Sequence, residues 1–230
     1  MKKGEMKKQE FLRTAEARFC RDGYEKTSVQ DILDDLHTSK GSFYHHFVSK
    51  ESLLEEICRR RAESTSEQVF SGIAAGMEPC MKLNTLISGM IPFSGEKLSF
   101  LLMLVPVFSG PEGIRIRNCY ASELENLYRN RIAETLQAGD RQEIFSCGDP
   151  DFFAGMLIQM INRCWFQICD RVFENEKNGK NTDPGDLMNI VSNYRTAAER
   201  VLSAPYGSVE IMNLTDLKIL TEQIHMHWKE

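Results

Sequence analysis

The chain's chemistry-bearing residues concentrate in one stretch, Gly23 to Leu54, which reads GYEKTSVQDILDDLHTSKGSFYHHFVSKESLL. Thr27, followed three residues later by Gln30, has the form of a capping box opening a short helix. That leaves Thr27 and Ser28 at a helix N-terminus, where free amides and the helix dipole suit a phosphate. Ser39 reads as the N-cap of a second short helix whose first turn holds Lys40, Gly41 and Ser42. Small residues there let the backbone approach a groove closely, and the first turn of such a helix is the part that meets base edges. Tyr44, His45 and His46 add donors and flat rings, while Phe43 and Phe47, at i and i+4, face inward. Lys50 opens the next helix in reach of a phosphate. The chemistry of this stretch is hydrogen bonding and charge pairing, not bond making.

Other reactive side chains do not assemble into a site. His45-His46 and His225-x-His227 point to different helix faces and have no Cys or carboxylate at a metal-ligand spacing, so no metal is expected. The seven cysteines, at 20, 58, 80, 119, 147, 164 and 169, form no C-x-x-C pair. With charged first residues and no apolar leader, they read as reduced thiols of a cytoplasmic protein. There is no phosphate-cradling glycine loop, nucleophile elbow or H-E-x-x-H, so no catalytic residue, cofactor or enzyme activity is expected. The longest apolar run, Leu98 to Phe108, is too short to span a membrane.

The elements that must hold these residues are helices. Hydrophobic content of 42% and charged content of 27% are those of a folded globular chain. Apolar residues recur at helical spacing: Leu12, Ala15 and Phe19; then Val29, Ile32, Leu33 and Leu36; then Leu53, Leu54 and Ile57 in a helix capped by Ser49. Further helices are expected over 97–108, 114–138, 152–174 and 186–202, with a last one carrying Leu217, Leu220, Ile224 and Trp228. The net charge of −5 is unevenly spread. Residues 1–61 hold 13 Lys and Arg against 11 Asp and Glu, and the remainder 15 against 22, so the N-terminal part is the more basic.

The order Gly23, Tyr24, Thr27, Ser28, Val29, Ile32, Ser39-Lys40-Gly41-Ser42-Phe43-Tyr44, His46-Phe47, Lys50, Leu53 resembles the tetracycline-repressor (TetR/AcrR-type) family of transcriptional regulators. The likeness covers about 35 residues, or 45 with the preceding helix. One position departs: Leu36-His37-Thr38-Ser39 replaces the usual Ala-Gly-Val-Ser turn, putting His37 where a left-handed glycine often sits.

The resemblance implies an all-α fold. A three-helix helix-turn-helix domain over 1–48 would precede a larger effector-binding and dimerisation domain over 49–230. It implies a ligand-responsive DNA-binding regulator, a repressor released from a pseudo-palindromic operator by a small-molecule effector. Thr27, Ser28, Tyr44, His46 and Lys50 would then hold phosphates, Lys40, Gly41, Ser42 and His45 would lie nearest the bases, and Ser39, the cap of that helix, belongs to the same DNA-binding set. Phe93, Phe100, Met103, Phe108, Tyr120, Met156, Met160 and Trp165 are candidates to line an adaptable apolar pocket, against the alternative that they fill a helical core. The helices over 152–174 and 186–202 are candidates for a homodimer interface, against the alternative that they are core helices of one chain.

Overall fold

The computed structural model describes residues 3–91, 97–110 and 113–227, so Phe93 and Trp228 lie outside the described residues. Ten helices and no strand occur among them. The head consists of α1 (Lys3–Asp22), α2 (Val29–Asp35) and α3 (Lys40–Tyr44). Phe11, Leu12, Ala15 and Phe19 form the buried stripe of α1, which ends at Gly23 with a positive φ of 88°. Against that stripe pack Ile32 and Leu33 of α2, with Phe43 of α3 and Phe47 just beyond it, all buried. The Phe11 ring meets the Phe43 and Phe47 rings edge-on, with centroids 5.6 and 6.2 Å away.

The helix α4 (Lys50–Gly72) leaves the head capped by Ser49, whose hydroxyl accepts from the Ser52 amide at 3.2 Å. It runs to Gly72, past the apolar stripe that foretold it, and ties the head to the rest. Lys8 of α1 reaches Glu56 at 2.6 Å, and Arg61 reaches Glu16. On its other side Arg59 meets Glu123 at 3.5 Å, and Arg115 holds Glu55.

The body comprises α5 (Pro79–Met90), α6 (Lys97–Ser109), α7 (Gly113–Arg141), α8 (Pro150–Lys177), α9 (Pro184–Leu202) and α10 (Leu214–His227). The long α7 and α8 lie antiparallel. Arg129 holds Asp151 near one end of their seam, and Arg117 holds Asp170 near the other. From Phe100 to Phe108, every side chain of α6 except Pro106 is buried, which makes it the inner helix of the body. α8 is apolar over much of its circumference because it already packs on α6, α7 and α9 of its own chain. No described helix is long and apolar enough to cross a membrane.

Candidate nucleic-acid interface

The local geometry of the head decides which of the expected contact residues face outward. The cap of α2 is Ser28, not Thr27. The Ser28 hydroxyl accepts from the Asp31 amide, and the Asp31 carboxylate accepts from the Ser28 amide at 2.7 Å, so the box pairs Ser28 with Asp31 instead of Thr27 with Gln30. Thr27 is only 1% exposed, and its hydroxyl donates to the Gly23 carbonyl at 2.9 Å. This corrects the expectation that Thr27 offers its side chain to a phosphate: the hydroxyl is turned inward to close the turn after α1. Ser28 is exposed at the helix start.

Lys50 also has an internal task. Its ammonium donates to the carbonyls of Tyr24 and Thr27 at 3.0 and 3.1 Å and lies 4.1 Å from the centre of the Tyr24 ring. The charge expected to face a phosphate pins the turn before α2 to the start of α4.

The turn between α2 and α3 holds its shape despite lacking glycine. His37 stands at φ 45°, the left-handed conformation, and the Thr38 amide closes the turn on the Leu33 carbonyl at 3.0 Å. Ser39 caps α3, its hydroxyl accepting from the Ser42 amide at 3.3 Å. With Phe43 and Phe47 anchored on Phe11, the opposite face of α3 presents Ser39, Lys40, Gly41, Tyr44 and His45 to solvent, with Ser42 half-exposed beside them. Tyr44 is 57% exposed, an aromatic ring that stands perpendicular to the Phe43 ring with centroids 5.3 Å apart. A β-carbon at Gly41 would meet only the Ser39 hydroxyl, at an ordinary 3.8 Å, so packing within the chain does not demand glycine there.

His46 is half-buried, its ring 6.1 Å from that of Phe11. Loss of solvation, then the neighbouring His45, hold its pKa below the ordinary histidine value. The two adjacent histidines do not point apart as a regular helix would require: at the end of α3 their rings stand 4.9 Å apart, edge to face. Among the described residues no three His, Cys, Asp or Glu side chains gather as a metal would need.

Arg18 was not singled out by its sequence context. From α1 it donates to both oxygens of Asp35 at 2.7 and 3.1 Å, fixing α2 against α1. Nothing in the local sequence announces a pair seventeen residues apart.

The apolar residues proposed to line a pocket sit mostly in the core. Phe100, Met103, Phe108, Tyr120 and Trp165 are buried, and Met156 and Met160 are half-buried. Phe108 packs on Tyr120 and Phe166. Three surface clefts among the described residues are lined by other side chains. In the same interior, three buried donors (Tyr128 Oη, Asn162 Nδ2 and Trp165 Nε1) have no hydrogen-bond partner.

Residues 11–57 match the profile of bacterial regulatory proteins of the tetR family, a span that contains the whole site just described. The chain is 28% identical over 131 residues to an uncharacterised HTH-type transcriptional regulator, YerO, of Bacillus subtilis, a match covering 55% of this chain and 45% of that protein. It is 29% identical over 139 residues to the HTH-type transcriptional repressor KstR2 of Rhodococcus jostii, covering 59% of this chain and 66% of that one. The chain thus spans roughly half to two thirds of the length of these relatives. Among solved structures, a TetR-family transcriptional regulator from Pectobacterium atrosepticum superposes with a TM-score of 0.57 at 18% identity, over 88% of this chain and 97% of that one. A regulator from Saccharomonospora viridis, solved in complex with choline, superposes with a TM-score of 0.52 at 23% identity, over 84% and 95%.

Proposed function

We propose that this chain, which belongs to the tetR family of bacterial regulatory proteins, is a dimeric repressor that leaves its operator when a small molecule binds in the helical body. The relatives it matches are transcriptional regulators and not enzymes. The observation that carries the DNA-binding part is the outward face of α3: Ser39, Lys40, Gly41, Tyr44 and His45 are exposed while Phe43 and Phe47 anchor the helix behind them. Lys40 and His45 are assigned to base edges, and Ser28, Tyr44 and His46 to phosphates. Phosphate contacts fix register and base contacts specify sequence. Thr27 and Lys50 act one step back, by shaping the turn that presents α2.

The effector-binding part rests on three supports. One structural neighbour was solved with choline and another is named a flavonoid-responsive regulator. The interior contains orphaned donors among aromatic and methionine side chains. Finally, α4 is ion-paired to α1 on one side and to α7 on the other, so a shift of α7 would be felt in the head. A ligand moves such an equilibrium only by its differential affinity for the two states.

The dimer would form on the outer faces of α8 and α9, where Phe152 is exposed and Met156, Met160, Tyr194, Ala197 and Val201 are half-buried. A cytoplasmic location follows from this role.

The test is fluorescence anisotropy on a labelled duplex taken from the DNA flanking the protein's own gene, titrated with salt. Binding should weaken linearly in log[salt] and exceed that to a scrambled duplex by about a thousandfold or more. Equal binding to both duplexes would refute the reading.

A further inference from the structure

Half-buried arginines in this chain are paired as a rule. Arg18, Arg59, Arg60, Arg61, Arg117 and Arg129 each hold a carboxylate. Among the described residues Arg195 of α9, equally half-buried, holds none. Its Nε is covered and has no hydrogen-bond partner, and its guanidinium lies 5.8 Å from the Tyr206 ring centre. Withdrawing a cation from water without a counter-charge is unfavourable. Glu199, one turn along α9, makes no ion pair with it: its Oε1 accepts the amides of Gly207 and Val209 at 2.8 and 3.3 Å, and its buried Oε2 has no hydrogen-bond partner.

Arg195 lines a cleft of about 550 Å³ between α5, α9 and the stretch 207–216. The rim of this cleft is preformed. Besides the Glu199 clamp, Asn84 of α5 donates to the Ser208 carbonyl at 2.8 Å and accepts the Glu210 amide at 2.9 Å. Met188, Ile211 and Met212 give it apolar walls. Two carboxylates also line it, Glu210 and Asp216; Asp216 accepts the Asn213 amide at 3.3 Å at the start of α10. They disfavour any negative charge in the cleft that Arg195 does not itself pair.

We propose that this cleft is a small-molecule site, separate from the interior of the body, that takes a monocarboxylate with a short apolar group. The carboxylate pairs with Arg195, whose planar fork matches it, and the apolar group lies against Met188, Ile211 and Met212. A dicarboxylate is rejected by Glu210 and Asp216, and the corresponding amide lacks the charge that Arg195 requires.

The test is calorimetric titration of the full chain with hexanoate, hexanamide and adipate, repeated on Arg195→Met and Arg195→Lys. Hexanoate should bind, with hexanamide and adipate at least about tenfold weaker. Arg195→Met should weaken hexanoate about tenfold or more, and Arg195→Lys should retain part of the affinity. Circular dichroism establishes that the variants are folded; if Arg195→Met is not, the contrast between hexanoate and hexanamide on the unaltered protein decides. Equal binding of acid and amide overturns the proposal. So does undiminished hexanoate binding by folded Arg195→Met, or no binding at all, as when a second copy of the chain covers the cleft.

Discussion

His37 sits in a left-handed turn that its side chain disfavours, and Gly41 sits in a helix turn that would tolerate a side chain. Each is therefore a probe of purpose. His37→Gly relieves the backbone and should raise stability by about 1 kcal/mol, read from the urea midpoint, with DNA affinity held if His37 makes no contact there. Gly41→Ala has room inside the chain and gains helix propensity, so stability should hold or rise by up to about 1 kcal/mol. Operator affinity should fall, because the added methyl group projects where the groove must come. Undiminished affinity would detach Gly41 from the interface. Lys50→Ala tests the reassigned role of that residue. Lys50→Ala removes the ammonium's two hydrogen bonds to the Tyr24 and Thr27 carbonyls, and stability should drop by about 1–2 kcal/mol. A pure phosphate contact would instead leave the melt unchanged and lower the salt slope by about 1. At this scale the sequence was legible where a position has a single reading, as at Ser39 and Phe43. It misled where two neighbours satisfy one pattern. Thr27 and Ser28 are both hydroxyl residues ahead of a helix, and only the inward turn of Thr27 onto the Gly23 carbonyl separates them.

Helices were the most legible elements, because burial repeats at 3.6 residues and each stripe writes its own period into the chain. The ends of α8 and α9 were less so; both begin at a proline, at Pro150 and Pro184, ahead of their apolar stripes. The stretch 203–213 could not be read at all, since its course is fixed by Asn84, more than a hundred residues away, and by Glu199. Packing between elements is likewise carried by distant pairs, and the α1–α2 clamp allows a test. The Arg18 guanidinium, by its hydrogen bonds, holds the Asp35 carboxyl below the usual carboxylate range; Arg21 does the same for Asp22, and the Ser28 hydroxyl for Asp31. Carboxyls depressed in the folded state favour folding above their unfolded value of about 4 and lose that contribution as pH falls through the folded values. The head should therefore weaken below about pH 4. Arg18→Met should lower stability at neutral pH and flatten this acid limb, seen in urea midpoints from neutral pH into the acid range. An acid limb as steep as that of the unaltered protein would show that the Arg18–Asp35 pair is not its source.

Assembly is the scale at which a single chain says least, because an apolar helix is consistent with a core and with an interface alike. α8 packs on α6, α7 and α9, which accounts for most of its apolar surface without a second subunit. What those neighbours leave is a smaller face near its start, where Phe152 is 59% exposed and Met156 is half-buried one turn on. DNA recognition supplies the independent argument. The single five-residue α3 offers few base contacts, whereas a two-fold pair can read two half-sites about 34–36 Å apart, one turn of the duplex. The double change Phe152→Asp with Met156→Glu places charge on that face without touching the buried stripe. In sedimentation, the unaltered protein should run at twice its 26.4 kDa chain mass and the variant at the chain mass. Operator affinity should fall by about a hundredfold or more, since the second head no longer benefits from the first being bound. Affinity for an isolated half-site should be unchanged, because α3 and its anchors lie outside the altered face. A variant that stays dimeric moves the interface elsewhere, and a monomeric variant that keeps full operator affinity would mean that one head suffices.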